Sequence, residues 1–196
     1  MTVQPGHLHG KKSVHHAQNN AHKTHLEVGN QSSESMFYYF AYGSCMCPVD
    51  LKRSLGEKTH QYVIGPATLP GYRLLFYGYS DLRNCGVLDL IKDPNASVEG
   101  VLYQLPMRLS DALDKREVGY FKKNVTTVTN GKVYENVRTY SVIDKLSEEL
   151  APNDWYINTV LRGAVTCGLT EQYCWRLFNH MHQLQSNCPN QIERSA

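Results

Sequence analysis

The chain has 196 residues, of which 41% are hydrophobic, and a formal net charge of +2 at pH 7. This length suits one domain with additional segments, and so small a charge argues against nucleic-acid binding. No apolar run approaches the ~20 residues that span a bilayer, and no apolar stretch of a secretory signal is visible, so we expect no membrane partner and a cytoplasmic location. In that compartment the six cysteines are expected to be reduced thiols.

Residues 1–35 differ in composition from the rest of the chain. They contain six of the nine histidines, together with Gln, Asn, Ser and Lys, and almost no large apolar residue. Such a segment buries too little surface to offset the entropy of ordering it. We therefore predict a disordered His-rich tail, a folded domain at residues 36–185 and a frayed end at residues 186–196. Metal capture by the histidines is the alternative, although no cysteine or fixed spacing supports it.

The first half of the predicted domain is rich in strand-like segments. Residues 36–42 are aromatic and apolar on both faces, which predicts a buried strand. Residues 50–55 are predicted to form a short helix that ends at Gly56. Further strands are predicted at residues 62–69, 72–77, 87–91 and 98–105. Because Pro70-Gly71 separates the first two of these and Asp93-Pro94-Asn95 the last two, each pair is interpreted as a hairpin.

A further hairpin is predicted at residues 125–143. Its strands flank Asn130 and Gly131, the pair of residues that a tight primed turn requires. Between the two groups of strands, residues 110–117 are predicted to form a helix of about two turns, because charges of the right sign lie at its ends and Ser110 can cap it.

The C-terminal part changes to helical periodicity. Apolar residues recur at steps of three and four, which predicts one helix ending at Gly168 and a second helix capped by Thr170. Strands joined as antiparallel hairpins and followed by helices indicate an α+β fold. Two connected hairpins and the central aromatic strand would close as a small, partly open, mixed β-barrel with flanking helices.

The first candidate site is the end of the aromatic strand, Tyr42-Gly43-Ser44. Glycine lets the chain turn there so that successive backbone N–H groups point one way and a ligand carboxylate or amide oxygen can approach closely. The Ser44 hydroxyl can donate or accept a hydrogen bond. An ordinary strand-to-loop turn would have the same composition, so the residues alone leave both interpretations open.

The second candidate is Glu117, at the C-terminal end of the predicted helix. The negative end of the helix dipole and nearby aromatic rings would both favour the neutral carboxyl and raise its pKa, as a general base requires. Lys115 and Arg116 would oppose this rise if they folded over it. A solvated surface glutamate is the alternative interpretation.

Other catalytic arrangements have weaker support. Cys45 and Cys47 lie near the loop, and a cysteine nucleophile with His60 stays an alternative, although no spacing supports it. The sequence has no G-x-S-x-G, P-loop, Rossmann or zinc-binding pattern. Three tyrosines that could line a pocket are Tyr42, Tyr120 and Tyr140.

Three short patterns occur in order along residues 36–184. The run Tyr39-Phe40-Ala41-Tyr42-Gly43-Ser44 resembles a signature loop that typically reads YFAYGSN. Leu113-Asp114 followed by Glu117 resembles an LD-x-x-E helix end. Pro152 with Tyr156, then Gly163-Ala164, Gly168-Leu169 and Tyr173, resemble a P-x-x-Y, GA and GL-P-x-x-Y pattern. Together they resemble the γ-glutamylcyclotransferase family of the AIG2-like superfamily, in its γ-glutamyl-amino acid branch.

This resemblance implies a small β-barrel whose cavity holds a γ-glutamyl group. In the implied reaction the substrate's own α-amino group attacks its γ-amide carbonyl, which forms 5-oxoproline and releases an amino acid. Glu117 would transfer the protons, and neither a cofactor nor a metal would be required. The substrate-binding positions implied are Tyr39, Phe40, Ala41, Tyr42, Gly43, Ser44, Cys45, Tyr120 and Tyr140.

The chain departs from the family pattern at several positions. Cys45 stands where an asparagine is usual, and Thr170 replaces a proline. Either Tyr120 or Phe121 could fill the position of the pocket aromatic. γ-Glutamyl-amines, glutathione and carrier-bound γ-glutamyl groups stay open as alternative substrates, and a non-catalytic γ-glutamyl-binding module stays open as an alternative function. The sequence also leaves open whether the protein forms a homodimer.

Overall fold

The fold is described for residues 34–187 in a computed structural model of the chain. The helices and strands, in chain order, are β1 (Met36–Ala41), α1 (Pro48–Leu55), β2 (Val63–Ser80), β3 (Cys85–Pro106), α2 (Ser110–Arg116), β4 (Tyr120–Thr129), β5 (Lys132–Val142), α3 (Asp154–Thr166) and α4 (Glu171–Asn187). Short 3-10 helices lie at Ser44–Met46, His60–Tyr62 and Met107–Leu109. Outside the described residues lie residues 1–33 of the predicted tail and residues 188–196 of the predicted frayed end.

The five strands close into one barrel in the order β1-β3-β2-β4-β5. Four of the five strand pairings are antiparallel: β1 with β3, β2 with β3, β2 with β4, and β4 with β5. The fifth is parallel and joins β1 to β5 at Tyr39 and Arg138, so the barrel is mixed. The α+β class and the mixed barrel are therefore confirmed. The predicted opening in the barrel is wrong, because the β1–β5 pairing closes it.

The hairpins predicted at Pro70-Gly71 and at Asp93-Pro94-Asn95 are wrong. Both segments are bulges inside one long antiparallel pair, where Pro70 lies opposite Ser97 and Tyr72 opposite Lys92. A bulge tolerates a proline without an N–H donor and a residue such as Gly71 at φ +78°, so locally it resembles a turn. The actual hairpin joins β2 to β3 through residues 81–84, and this turn becomes part of the site described below.

Local chemistry explains the remaining connections. Asn130 and Gly131 have φ values of 50° and 74°, as the predicted tight turn between β4 and β5 requires. The cap predicted at Ser110 is wrong, because the 3-10 turn at Met107–Leu109 runs directly into α2 and makes Leu109 the N-cap. The Ser110 hydroxyl instead accepts a hydrogen bond from Arg138 Nη1 at 2.8 Å.

Helix α3 packs against the chain that follows β1. A Cβ atom at Gly163 would lie 2.5 Å from the backbone nitrogen of Cys47, so only glycine allows the helix to come this close. Helix α4 begins as predicted, since the Thr170 hydroxyl accepts a hydrogen bond from the backbone N–H of Tyr173 at 3.3 Å. The Thr170 hydroxyl also donates to Glu99 Oε1 at 2.6 Å. The proline that usually stands at this position of the GL-P-x-x-Y pattern could not form this bond.

Within residues 34–187, no helix has both the length and the apolar character needed to cross a membrane. The same residues contain no group of three or more His, Cys, Asp or Glu side chains placed to hold a metal ion. Their five cysteines are free thiols.

Candidate active site

A cavity of about 470 Å³ lies where the ends of β1 and α2 meet the turn between β2 and β3. Its walls come from segments far apart in sequence: residues 42–45, 79–83 and 115–120, with Tyr39, Val87, Leu88, Tyr140 and Tyr156. The barrel therefore brings the predicted loop and Glu117 into the same cavity, although more than 70 residues separate them.

Eight of the ten predicted site residues line this cavity: Tyr39, Tyr42, Gly43, Ser44, Cys45, Glu117, Tyr120 and Tyr140. Phe40 and Ala41 do not line it and are 0% and 1% exposed in the core. Phe40 lies on the opposite face of β1 from Tyr39, because successive strand residues point to opposite faces. Tyr120 takes the position for which Phe121 was the alternative, since Phe121 is 44% exposed and outside the lining.

Glu117 is the C-cap of α2, and its backbone N–H donates to the carbonyl of Leu113 at 3.2 Å. Its side chain is 13% exposed. Burial raises the pKa of this carboxyl, while the hydrogen bond from Cys45 and the charges of Arg116 and Arg83 limit the rise. The direction is the one expected from the sequence, and burial, one of the two causes expected, is the main one. A carboxyl of this kind is suited to accept and return a proton.

Arg116 is held by Asp50 rather than by Glu117. Its Nη2 lies 2.5 Å from Asp50 Oδ2 and 3.3 Å from Ser44 Oγ, and its Nη1 donates to the Ser54 hydroxyl. The Arg116 and Asp50 side chains are only 11% and 5% exposed. The Nε of Arg116 is 3.9 Å from Glu117 Oε1, beyond hydrogen-bond distance. The pKa of Glu117 stays raised because burial outweighs the opposing charge of Arg116.

The Cys45 thiol connects these two groups. It donates to Glu117 Oε1 at 3.1 Å and accepts from Arg116 Nε at 2.9 Å. Burial raises the pKa of this thiol to about 12, so it is a neutral donor at pH 7 and not a thiolate. His60 is exposed on a 3-10 turn and is not part of the cavity. These contacts argue against the cysteine nucleophile.

The tyrosines form a hydrogen-bonded wall. Tyr42 donates from its hydroxyl to the backbone carbonyl of Tyr140 at 2.7 Å, and Tyr140 donates to Asp114 Oδ1 at 2.5 Å. Burial raises the pKa of both hydroxyls, so they stay neutral donors across the physiological range. The bonds fix both rings beside the loop.

Tyr156 also lines the cavity, although it was not among the predicted site residues. Its hydroxyl accepts a hydrogen bond from the backbone N–H of Leu88 at 3.1 Å. A Cβ atom at Gly43 would come within 3.0 Å of the same hydroxyl, which explains why the loop has glycine there. The P-x-x-Y pattern marked this tyrosine. No comparable signal marked Arg83, because its position depends on how β2 pairs with β3.

Comparison with known proteins agrees with this geometry. The AIG2-like family profile matches residues 97–177. A Bacillus subtilis (strain 168) protein named "Putative gamma-glutamylcyclotransferase YkqA" is 32% identical over 157 residues, which are 78% of this chain and 54% of that protein. The crystal structure of YkqA matches with a TM-score of 0.70 at 31% identity, covering 78% of this chain and 56% of that one. These matches support a place in the γ-glutamylcyclotransferase family, within the AIG2-like superfamily.

The chain spans about half the length of the curated relative it matches. A solved structure named "Gamma-glutamyl cyclotransferase" matches with a TM-score of 0.67 at 24% identity, covering 74% of this chain and 87% of that one. At that identity the match shows a shared γ-glutamylcyclotransferase fold.

Proposed function

We propose that this chain is a γ-glutamylcyclotransferase that converts a γ-glutamyl-amino acid into 5-oxoproline and a free amino acid. The observation that carries the proposal is the buried Glu117 carboxyl, whose pKa is raised and which lies in one cavity with the loop Tyr42–Cys45. The similarity to γ-glutamylcyclotransferase-like proteins supports the same reaction class.

The loop binds the amino acid end of the γ-glutamyl group. Ser44 and Cys45 begin a 3-10 helix, so their backbone N–H groups have no acceptor within that helix. Such groups suit a carboxylate, and Gly43 lets the ligand approach the backbone. A cavity of about 470 Å³ is within the usual range for sites that bind small molecules.

Binding in this way places the reacting groups together. The α-amino nitrogen forms a bond to the γ-carbonyl carbon, and the bond from that carbon to the leaving nitrogen breaks. Because nucleophile and electrophile belong to one molecule, the protein's main task is to hold the γ-glutamyl chain curled. Well-oriented intramolecular attack is equivalent to effective molarities of ~10⁵ M or more.

Glu117 carries the proton between the two nitrogens. As a carboxylate it takes a proton from the α-ammonium group, and as a carboxylic acid it delivers that proton to the departing nitrogen. The ring nitrogen loses a second proton when it becomes the lactam N–H, and the released amino group takes up this proton and leaves as an ammonium group. A general acid–base group of this kind contributes ~10²–10⁴-fold. The Cys45 thiol, 3.1 Å from Oε1, orients the carboxyl during both transfers. This reaction consumes no water and requires no cofactor.

A panel of substrates tests the proposal. The purified chain is incubated with γ-glutamyl-L-alanine, glutathione and γ-glutamyl-ethylamine, and 5-oxoproline is measured by liquid chromatography. We expect 5-oxoproline from γ-glutamyl-L-alanine at a rate well above the uncatalysed reaction. Binding of the panel without any 5-oxoproline would identify a binding module instead. Preferred turnover of glutathione or of γ-glutamyl-ethylamine would show that the substrate is that of another branch of the family.

A further inference from the structure

The turn between β2 and β3 forms the rim of the cavity and presents one arginine. The Arg83 backbone is fixed on both sides, since its N–H donates to Ser80 at 3.1 Å and its carbonyl accepts from Asn153 Nδ2 at 2.8 Å. Leu82 beside it is 91% exposed, which places this turn at the mouth of the cavity. The loop at Ser44, by contrast, is buried at the inner end.

The Arg83 side chain has unused binding capacity. Its Nε is buried and has no hydrogen-bond partner within residues 34–187. Its guanidinium lies 5.1 Å from the centre of the Trp155 ring, a contact that orients the group without satisfying its donors. Leaving a buried charged donor without an acceptor is costly, so a ligand that supplies the acceptor would bind favourably.

The other charged groups in the cavity are already engaged or exposed. Arg116 is already paired with Asp50. Lys115 and Asp81 line the cavity but are exposed to solvent. The charge of Arg83 reaches the cavity interior, because it lowers the pKa of both Glu117 and Tyr156 against the effect of burial. Arg83 is thus a cation at the rim of the cavity whose charge acts on the interior, and no acidic side chain within residues 34–187 forms a salt bridge with it.

Building on the proposed function, we propose that Arg83 binds the α-carboxylate of the leaving amino acid. The γ-glutamyl end is at the inner loop and the scissile nitrogen is beside Glu117, so the leaving group extends toward the rim. Its carboxylate is attached one carbon away from that nitrogen. A guanidinium offers paired donors that match a carboxylate, with charge-assisted hydrogen bonds. Arg83 therefore selects γ-glutamyl-amino acids over γ-glutamyl-amines.

The test compares two substrates that differ only in the carboxylate, γ-glutamyl-L-alanine and γ-glutamyl-ethylamine. For the wild-type protein, we expect kcat/KM to favour the alanine compound ~10-fold or more, as hydrogen bonds between charged groups allow. Arg83→Gln should abolish most of this ratio, and Arg83→Lys, which keeps the charge, should retain part of it. Arg73→Gln is the matched control, because Arg73 is 54% exposed, pairs with Asp93 at 3.8 Å and lies outside the cavity.

Calorimetric titration of the same two compounds provides a readout that needs no turnover. Arg83→Gln should weaken binding of the alanine compound ~10-fold relative to the ethylamine compound. If 5-oxoproline forms but both ratios are the same in the wild-type and Arg83→Gln proteins, the assignment of Arg83 is wrong. If no 5-oxoproline forms while the binding ratio still depends on Arg83, the proposed reaction is wrong and the carboxylate site stands.

Discussion

Replacement of Glu117 by glutamine is the sharpest perturbation of the proposed mechanism. Glutamine keeps the volume and can still accept a hydrogen bond from Cys45, but it cannot take a proton. The side chain is 13% exposed, so little water is available to replace its function. We expect kcat to fall by at least ~10²-fold, which corresponds to about 2.7 kcal/mol of lost transition-state stabilisation. KM should change much less, because the loop and not Glu117 anchors the substrate.

The stability of this variant should move in the opposite direction from its activity. The pKa of Glu117 is raised in the folded protein, so the folded state holds this proton more tightly than the unfolded state. The ionised carboxylate therefore lowers the free energy of unfolding above its folded pKa, and this cost disappears as the pH falls below its ordinary value. Glu117→Gln should melt at or above the wild-type temperature at pH 7–8, with the difference closing toward pH 4.

The assay is steady-state release of 5-oxoproline, measured together with thermal melts at each pH. Glu135→Gln is the matched control, since Glu135 is exposed on β5 and does not line the cavity. We expect the control to keep wild-type kinetics. Equal turnover by the Glu117 and Glu135 variants would refute the mechanism. If Glu117→Gln is inactive but its melting temperature falls sharply at pH 7–8, the account of the buried carboxyl is wrong.

Three further predictions follow from neighbouring contacts. The Cys45 thiol donates a hydrogen bond to Glu117, and this bond lowers the pKa of Glu117. Cys45→Ala removes the bond, so the pKa of Glu117 should rise and the acid limb of the kcat–pH profile should move to higher pH. Cys45→Ser keeps a donor and should not move it. Asp50→Asn leaves Arg116 buried without its partner, which should cost about 3 kcal/mol. A melting temperature lower by roughly 10 °C would report that loss, and an unchanged one would contradict it. Dialysis against EDTA should leave kcat unchanged, and restoration of lost activity by one metal would disprove this.

The sequence predicts the fold best where local chemistry decides the structure. The turn at Asn130-Gly131 has a backbone requirement that few residue pairs meet, and the cap at Thr170 follows from its own hydroxyl. The segment at Pro70-Gly71 has the same local composition whether it turns back or bulges within a longer strand. Only its pairing with Ser97 on the neighbouring strand decides between these, and that pairing is not written in the segment itself.

The same distinction separates the parts of the site that could be predicted from those that could not. Glu117 and the Tyr42–Cys45 loop lie in short patterns that can be recognised in the chain. Asp50 precedes Arg116 by 66 residues, and nothing local indicates that it would pair with the arginine next to Glu117. Arg83 reaches the cavity only because β2 and β3 form one long hairpin. The roles of such residues depend on partners that are distant in sequence, so they can be identified only from the folded barrel.

The origin of the product's atoms tests the central claim most directly. The wild-type protein is incubated with γ-glutamyl-L-alanine in water enriched in ¹⁸O, and the masses of the products are measured by mass spectrometry. Intramolecular aminolysis predicts unlabelled 5-oxoproline in equal amount to alanine, because no water enters the reaction. Glutamate carrying ¹⁸O in its γ-carboxylate, in place of 5-oxoproline, would show hydrolysis and contradict the account.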